Sequence, residues 1–245
     1  MVRIALFLLI FIPYIAYAGE KVCIYNSYNV PPALELKRKL EKVLKEKGYD
    51  YNVSSVDSNC DVYLVIGTPA LIRILKKGNF KKIIYTFVLF PEELHIKREN
   101  VYGIRIFPLP VRTIRAFMKK KRLHQIRVAV SISRKMLPIA ERYLPRKYFR
   151  IIVFKESPSE IFDKLVTYSY VYIFPDPQVL KVVNLINLIS FGRENGIIFL
   201  TGLKDLKNYD VDFVHEVSYE KLANEMVKLI DKEPKERILP CPVKE

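Results

Sequence analysis

Residues 60–77 read CDVYLVIGTPALIRILKK, and the order of residue types in this stretch decides the architecture. Cys60 to Ile66 reads as a strand, and its unbroken run of β-branched, aliphatic and aromatic side chains from Val62 is expected of a strand covered on both faces. Gly67 and Thr68 end the run. The spacing predicts Thr68 as an N-cap and Pro69, which has no N–H to lose, at the first helical position. Apolar residues then continue at helical spacing to Lys77, and Gly78 follows. A strand that turns within two residues into a helix is half of a βαβ crossover, the unit from which parallel sheets are built.

The same alternation extends on both sides. Upstream, Lys21 to Ser27 reads as a strand, and Ala33 to Lys47 as a helix with Leu36, Leu40, Val43 and Leu44 on one face before Gly48. Tyr51 to Val56 is a second strand and Lys82 to Val88 a fourth. A Pro-rich break at Pro108–Arg112 separates these from a second series. That series predicts a helix from Val111 to Arg122, a strand Arg127–Ser133, a helix Lys135–Tyr143 and a strand Arg150–Lys155. Ser157 then caps a helix bearing Ile161, Phe162, Leu165 and Val166, and Tyr170–Phe174 is a strand. A helix Gln178–Phe191, a strand Gly196–Leu200, a strand-like Asp212–Val217 and an amphipathic helix Tyr219–Asp231 complete it. The predicted fold is α/β, with two Rossmann-like lobes built on parallel sheets. The expected divisions are a first lobe over 19–108, completed by part of 210–245, and a second lobe over 109–209. The helix 178–191 is apolar around its whole circumference, so it is expected either to be buried on all sides or to offer a partner surface.

Residues 1–18 have one charge (Arg3), an apolar run Ile4–Ile12 and a terminal Ala16-Tyr17-Ala18. This is the pattern of a secretory signal peptide, and its apolar run is shorter than the roughly 20 residues of a membrane span. It predicts a periplasmic or otherwise extracytoplasmic location, with the leader either removed after Ala18 or kept as an anchor. With 50% hydrophobic residues in a chain of 245, general disorder and fibrous architectures are excluded. The formal charge is +15, yet Lys37, Arg38, Lys39, Lys42 and Lys45 are interspersed with Glu35, Glu41 and Glu46. The run Lys119–Arg122 ends a helix, where cations complement the negative pole, and no aromatic residues interleave with it. The basic residues therefore read as solvated surface, and no nucleic-acid partner is expected. Of the three cysteines, Cys23 and Cys60 each begin a strand-like run and Cys241 lies in a Pro-Cys-Pro tail. A Cys23–Cys60 bridge requires those strands to be neighbours; the expectation is three buried or idle thiols.

No catalytic constellation is present. His95, His124 and His215 have no metal-ligand spacing to one another or to cysteine, and there is no nucleophile elbow, phosphate loop or Gly-rich dinucleotide motif. No enzyme, cofactor or metal site is expected. The polar residues at predicted strand ends remain, where open α/β sheets bind ligands. They are Ser27 and Tyr28 after the first strand, Thr68 after the third, Thr86 and Phe87 at the fourth, and Ser131, Ser133 and Asp176 in the second series. Each hydroxyl is equally well read as an ordinary cap or turn.

Four segments carry a family resemblance. Val62–Ala70 resembles an "apolar strand, Gly-Thr, helix" segment, and Ile83–Val88 through Asn100–Ile104 resembles a strand followed by an "Asn-Val-Thr-Gly" crossover. Tyr170–Asp176 resembles a strand ending in an exposed Asp, and Glu216–Arg237 a closing helix. Together they are similar to the substrate-binding proteins of ABC transporters, in the tryptophan- and tyrosine-binding branch. The chain departs from that pattern at Phe90-Pro91-Glu92-Glu93, where Asp-Pro is common, and at Tyr102, where Thr is usual. The resemblance implies a periplasmic binding protein type I fold, a small amino-acid-like ligand held between two lobes, and an ABC permease as partner. Ser27, Thr68, Ser131 and Ser133 would then hold a carboxylate, Tyr28 and Phe87 would stack on the ligand body, and Asp176 would meet an ammonium group. The alternative is a degenerate binding-protein fold acting as a sensor or protein-interaction module without transport.

Overall fold

A computed structural model describes residues 20–53 and 60–244. The leader 1–18 and the end of the expected second strand, 54–56, lie outside the described residues. The first sheet takes β1 (Val22–Asn26), β2 (Tyr51–Val53), β3 (Val62–Ile66), β4 (Lys82–Thr86) and β5 (Val101–Ile104). Helix α1 (Pro31–Glu46) links β1 to β2, and α2 (Thr68–Lys77) links β3 to β4. After β5 the chain enters the second lobe with α3 (Pro110–Lys121), β6 (Val128–Ser133), α4 (Leu137–Tyr143) and β7 (Phe149–Phe154). There follow α5 (Phe162–Leu165), β8 (Tyr170–Tyr172), α6 (Val182–Glu194), β9 (Ile198–Thr201) and β10 (Phe213–Val214). The chain then returns with α7 (Tyr219–Asp231) and β11 (Ile238–Leu239). The sheet orders are β11-β5-β4-β3-β1-β2 and β10-β9-β8-β6-β7, and every pairing between these strands is parallel.

Strand periodicity explains the two-sided burial. Along β1, Val22 and Ile24 point to the layer of α1 and α7, whereas Cys23 and Tyr25 point to the layer of α2. In β6, Val128, Val130 and Ile132 pack on the α3 and α4 side, and Ala129 on the α5 and α6 side. Both lobes are therefore sheets covered on both faces, which is why their strands read as unbroken apolar runs. Strands β5 and β11 were not legible as strands in the sequence. Gly103 sits inside β5 because the Tyr85 ring comes within 2.5 Å of where a Cβ would stand.

Three sequence expectations are corrected. Helix α2 has Gly67, not Thr68, as its N-cap; Thr68 is its first residue and makes no capping bond. Gly67 has φ 104°, and an added Cβ would lie 2.5 Å from Ser27 Oγ and 2.7 Å from the Tyr28 ring, so only glycine fits this crossing of β1 and β3. The helix expected from Gln178 begins at Val182 and is not buried all round: Leu185, Leu188 and Ile189 face the core, but Val182, Val183 and Ile186 are exposed. Cys23 and Cys60 form a disulfide, with Cα atoms 6.0 Å apart. They meet because β1 and β3, distant in sequence, are sheet neighbours that pair Val22 with Val62.

Cys241 is the free cysteine among the described residues, and burial pushes its thiol up to about 12. Native protein should leave Cys241 unlabelled by a thiol reagent at pH 8 and show one reactive thiol after unfolding. Replacing Cys23 and Cys60 together by serine should lower unfolding free energy by roughly 2–4 kcal/mol in a denaturant titration.

Candidate functional site

The two lobes touch largely through segments that follow the carboxyl ends of their strands, joined by the end of α4. Phe90, four residues after β4, inserts its ring among Phe107, Tyr143 and Phe174, at centroid distances of 6.2, 5.3 and 5.5 Å. Phe107 lies in the segment crossing to α3, Tyr143 ends α4, and Phe174 follows β8. Beside this ring cluster, Glu92 accepts hydrogen bonds from the Arg105 guanidinium and from the Tyr143 hydroxyl, and Glu93 pairs with Arg142 at 2.6 Å. Elsewhere Lys204, beyond β9, meets Glu35 of α1 at 3.1 Å and lies 4.2 Å from the centroid of the Tyr219 ring. The carboxyl edges of both sheets therefore face each other, the geometry in which open α/β sheets hold ligands.

The expected site residues form two groups. In the first lobe, Ser27 Oγ accepts from the Ala70 N–H at 3.2 Å and donates to the Ile66 carbonyl at 3.3 Å, so it caps α2 from a neighbouring strand. Tyr28 is half-buried, with its N–H on the Asn26 side chain at 3.0 Å. The buried Thr86 hydroxyl donates to the Ile104 carbonyl at 2.8 Å. Phe87 has φ 60° and packs 6.0 Å from Tyr219. Thr68 is half-buried as the first residue of α2.

In the second lobe, Ser131 and Ser133 share the face of β6 opposite Val130 and Ile132, and both hydroxyl oxygens are buried without a hydrogen-bond partner. Asp176 is fully buried, which corrects the expectation of an exposed carboxyl. Its Oδ2 accepts from the Ser133 N–H at 2.7 Å and its Oδ1 from the Gln178 N–H at 2.8 Å, so it fastens the end of β6 to the loop after β8. The fold thus gathers Ser131, Ser133 and Asp176 at one edge, and Ser27, Tyr28, Thr68, Thr86 and Phe87 at the other.

A cavity of about 470 Å³ at the junction is lined by none of these eight residues. Its charged lining is Arg105, Arg112, Arg115, Arg142 and Glu92; its apolar walls are Leu109, Val111, Tyr143 and Pro145. Reading hydroxyls at strand ends missed it. One signal was available in the sequence: the start of α3 carries cations and no acid, contrary to the preference of a helix N-terminus. His215, close enough for the Arg112 charge to act on it, has its pKa lowered, first by burial and then by that charge.

No protein-family model matches the chain, and no curated protein matches it. Solved structures do match. A ligand-free, open substrate-binding protein with adhesive properties from Clostridium difficile is 15% identical with a TM-score of 0.70, over 92% of this chain and 90% of that one. A periplasmic ribose ABC transporter protein from Conexibacter woesei is 14% identical with a TM-score of 0.56, over 92% and 91%. The ABC domain in complex with L-Trp from Streptococcus pneumonia is 12% identical with a TM-score of 0.54, over 93% and 90%. At these identities the likeness establishes the fold, which is that of the type I periplasmic binding proteins.

Gly67→Ala should cost roughly 1–3 kcal/mol of stability, measured by denaturant unfolding, because it combines a strained φ with a clash against Ser27 and Tyr28. A loss no larger than that of Gly78→Ala, which meets no atom within 4 Å, would contradict this packing.

Proposed function

We propose that this protein is an exported solute-binding protein that captures a small, amino-acid-like molecule between its lobes for an ABC permease. The observation that carries the reading is the opposition of two parallel-sheet edges, each bearing polar groups at its strand ends. Such a site closes only around a ligand that satisfies both walls. In this reading the first lobe spans 19–108 with part of 210–245, and the second spans 109–209. Thr68, in the first turn of α2, takes the ligand carboxylate, helped by Ser27, while Tyr28 and Phe87 flank its body. Thr86 fixes the first wall. Ser131, Ser133 and Asp176 form the second, where the buried Asp176 carboxyl holds the wall in place and a closing ligand would meet the two unpartnered hydroxyls. The Cys23–Cys60 bridge supports an oxidising, extracytoplasmic setting, as does the signal-like leader. No helix among the described residues is long and apolar enough to cross a membrane.

A second reading, a sensor or protein-interaction module on the same fold, is favoured by the exposed Val182, Val183 and Ile186 of α6. A thermal-shift and native mass-spectrometry screen of amino acids and related metabolites separates the two. The solute-binding reading predicts at least one ligand that raises Tm with concentration, and Thr68→Ala should weaken its binding about tenfold or more, the loss of one charge-assisted hydrogen bond. No ligand-dependent shift across the screen would leave the interaction module as the better account.

A further inference from the structure

The junction cavity has a charge balance that its own residues do not settle. Arg105 is committed to Glu92, and Arg142 to Glu93. Among the described residues, Arg112 donates only to the Cys241 carbonyl, at 3.5 Å, and Arg115 has no carboxylate partner. These two cations sit three residues apart on α3, so they are neighbours on one helix surface and repel each other. They also lie in its first turns, where the helix already presents positive charge, no side chain caps it and no acid is present. Two surplus guanidinium groups beside a space of about 470 Å³ make an environment that is relieved when negative charge enters.

We infer that this cavity is a binding site for a small anion carrying a carboxylate or phosphate group, held by Arg112 and Arg115 against the apolar wall of Leu109, Val111 and Pro145. Planar guanidinium groups suit both oxyanions, and the apolar wall accommodates an organic body. The site is separate from the strand-end residues assigned to the solute, so either assignment can fail without the other.

The test is thermal unfolding of the full chain in sodium phosphate and in sodium benzoate, each compared with sodium chloride at equal ionic strength. The wild-type protein should gain about 3–6 °C in at least one of the two oxyanions, and the larger gain identifies the preferred class. The double variant Arg112→Gln/Arg115→Gln, altered only at exposed positions, should lose that gain. A Lys119→Gln/Lys120→Gln control, with the same charge removed at the far end of the same helix, should keep it. Equal melting in all three salts, persistence of the gain in the arginine variant, or its loss in the lysine control would each overturn the assignment.

Discussion

The arrangement of the molecule depends on one aromatic insertion. Phe90 leaves the carboxyl end of β4 and enters the second lobe, where it stacks on Phe174 and meets Tyr143 and Phe107. Glu92 and Glu93 follow within one short 3-10 turn and fasten Arg105, Tyr143 and Arg142 around it. Burial raises the Tyr143 pKa, which favours the protonated hydroxyl that donates to Glu92. Without this contact the lobes would be joined mainly by the crossing segments and by polar contacts such as Glu35–Lys204, Lys207–Glu216 and Arg112 with the Cys241 carbonyl. Partly exposed ion pairs hold geometry weakly, commonly contributing about 1 kcal/mol or less, whereas packed rings define a surface. The Phe90–Glu93 segment, where the chain departs from the family pattern it resembles, is thus the element that sets the two sheet edges against each other.

The order of strands and helices could be read from the sequence because burial on both faces leaves a direct trace. A strand with apolar neighbours above and below has no polar alternation, and Val62–Ile66 and Val128–Ile132 record that condition almost residue by residue. What escaped was set by long-range pairing. Strand β5 is four residues long, contains a glycine and acquires its place only when Tyr85 fills the space beside Gly103. The Cys23–Cys60 bridge follows from the adjacency of β1 and β3, which spacing along the chain does not specify. The apolar helix after Pro177 was legible as a helix, but its orientation was not, since a uniformly apolar circumference carries no directional signal.

The strand-end groups were legible in position more than in the partners they take. Strand-end residues could be named because parallel sheets bring them to one edge, yet the partners of those side chains lie far away in sequence. Ser27 Oγ is engaged by the N–H of Ala70, and the carboxyl of Asp176 by that of Ser133, each pair 43 residues apart. Two groups expected to be open to solute therefore fasten neighbouring backbone segments within their own lobes. The arginine-lined cavity draws on three separate segments, and no local motif announces it. Only the cationic first turns of α3, an exception to the usual charge preference of helix ends, mark it in the sequence.

The most direct test of this account is a double-mutant cycle between Phe90→Leu and Phe174→Leu, read by denaturant unfolding of the full chain. Both substitutions keep apolar bulk while removing the ring–ring contact across the lobes. A coupling free energy of about 0.5–1.5 kcal/mol is expected for a stacked pair with centroids 5.5 Å apart. Additive effects, with no coupling between the two positions, would contradict an architecture in which the first lobe is anchored into the second through Phe90.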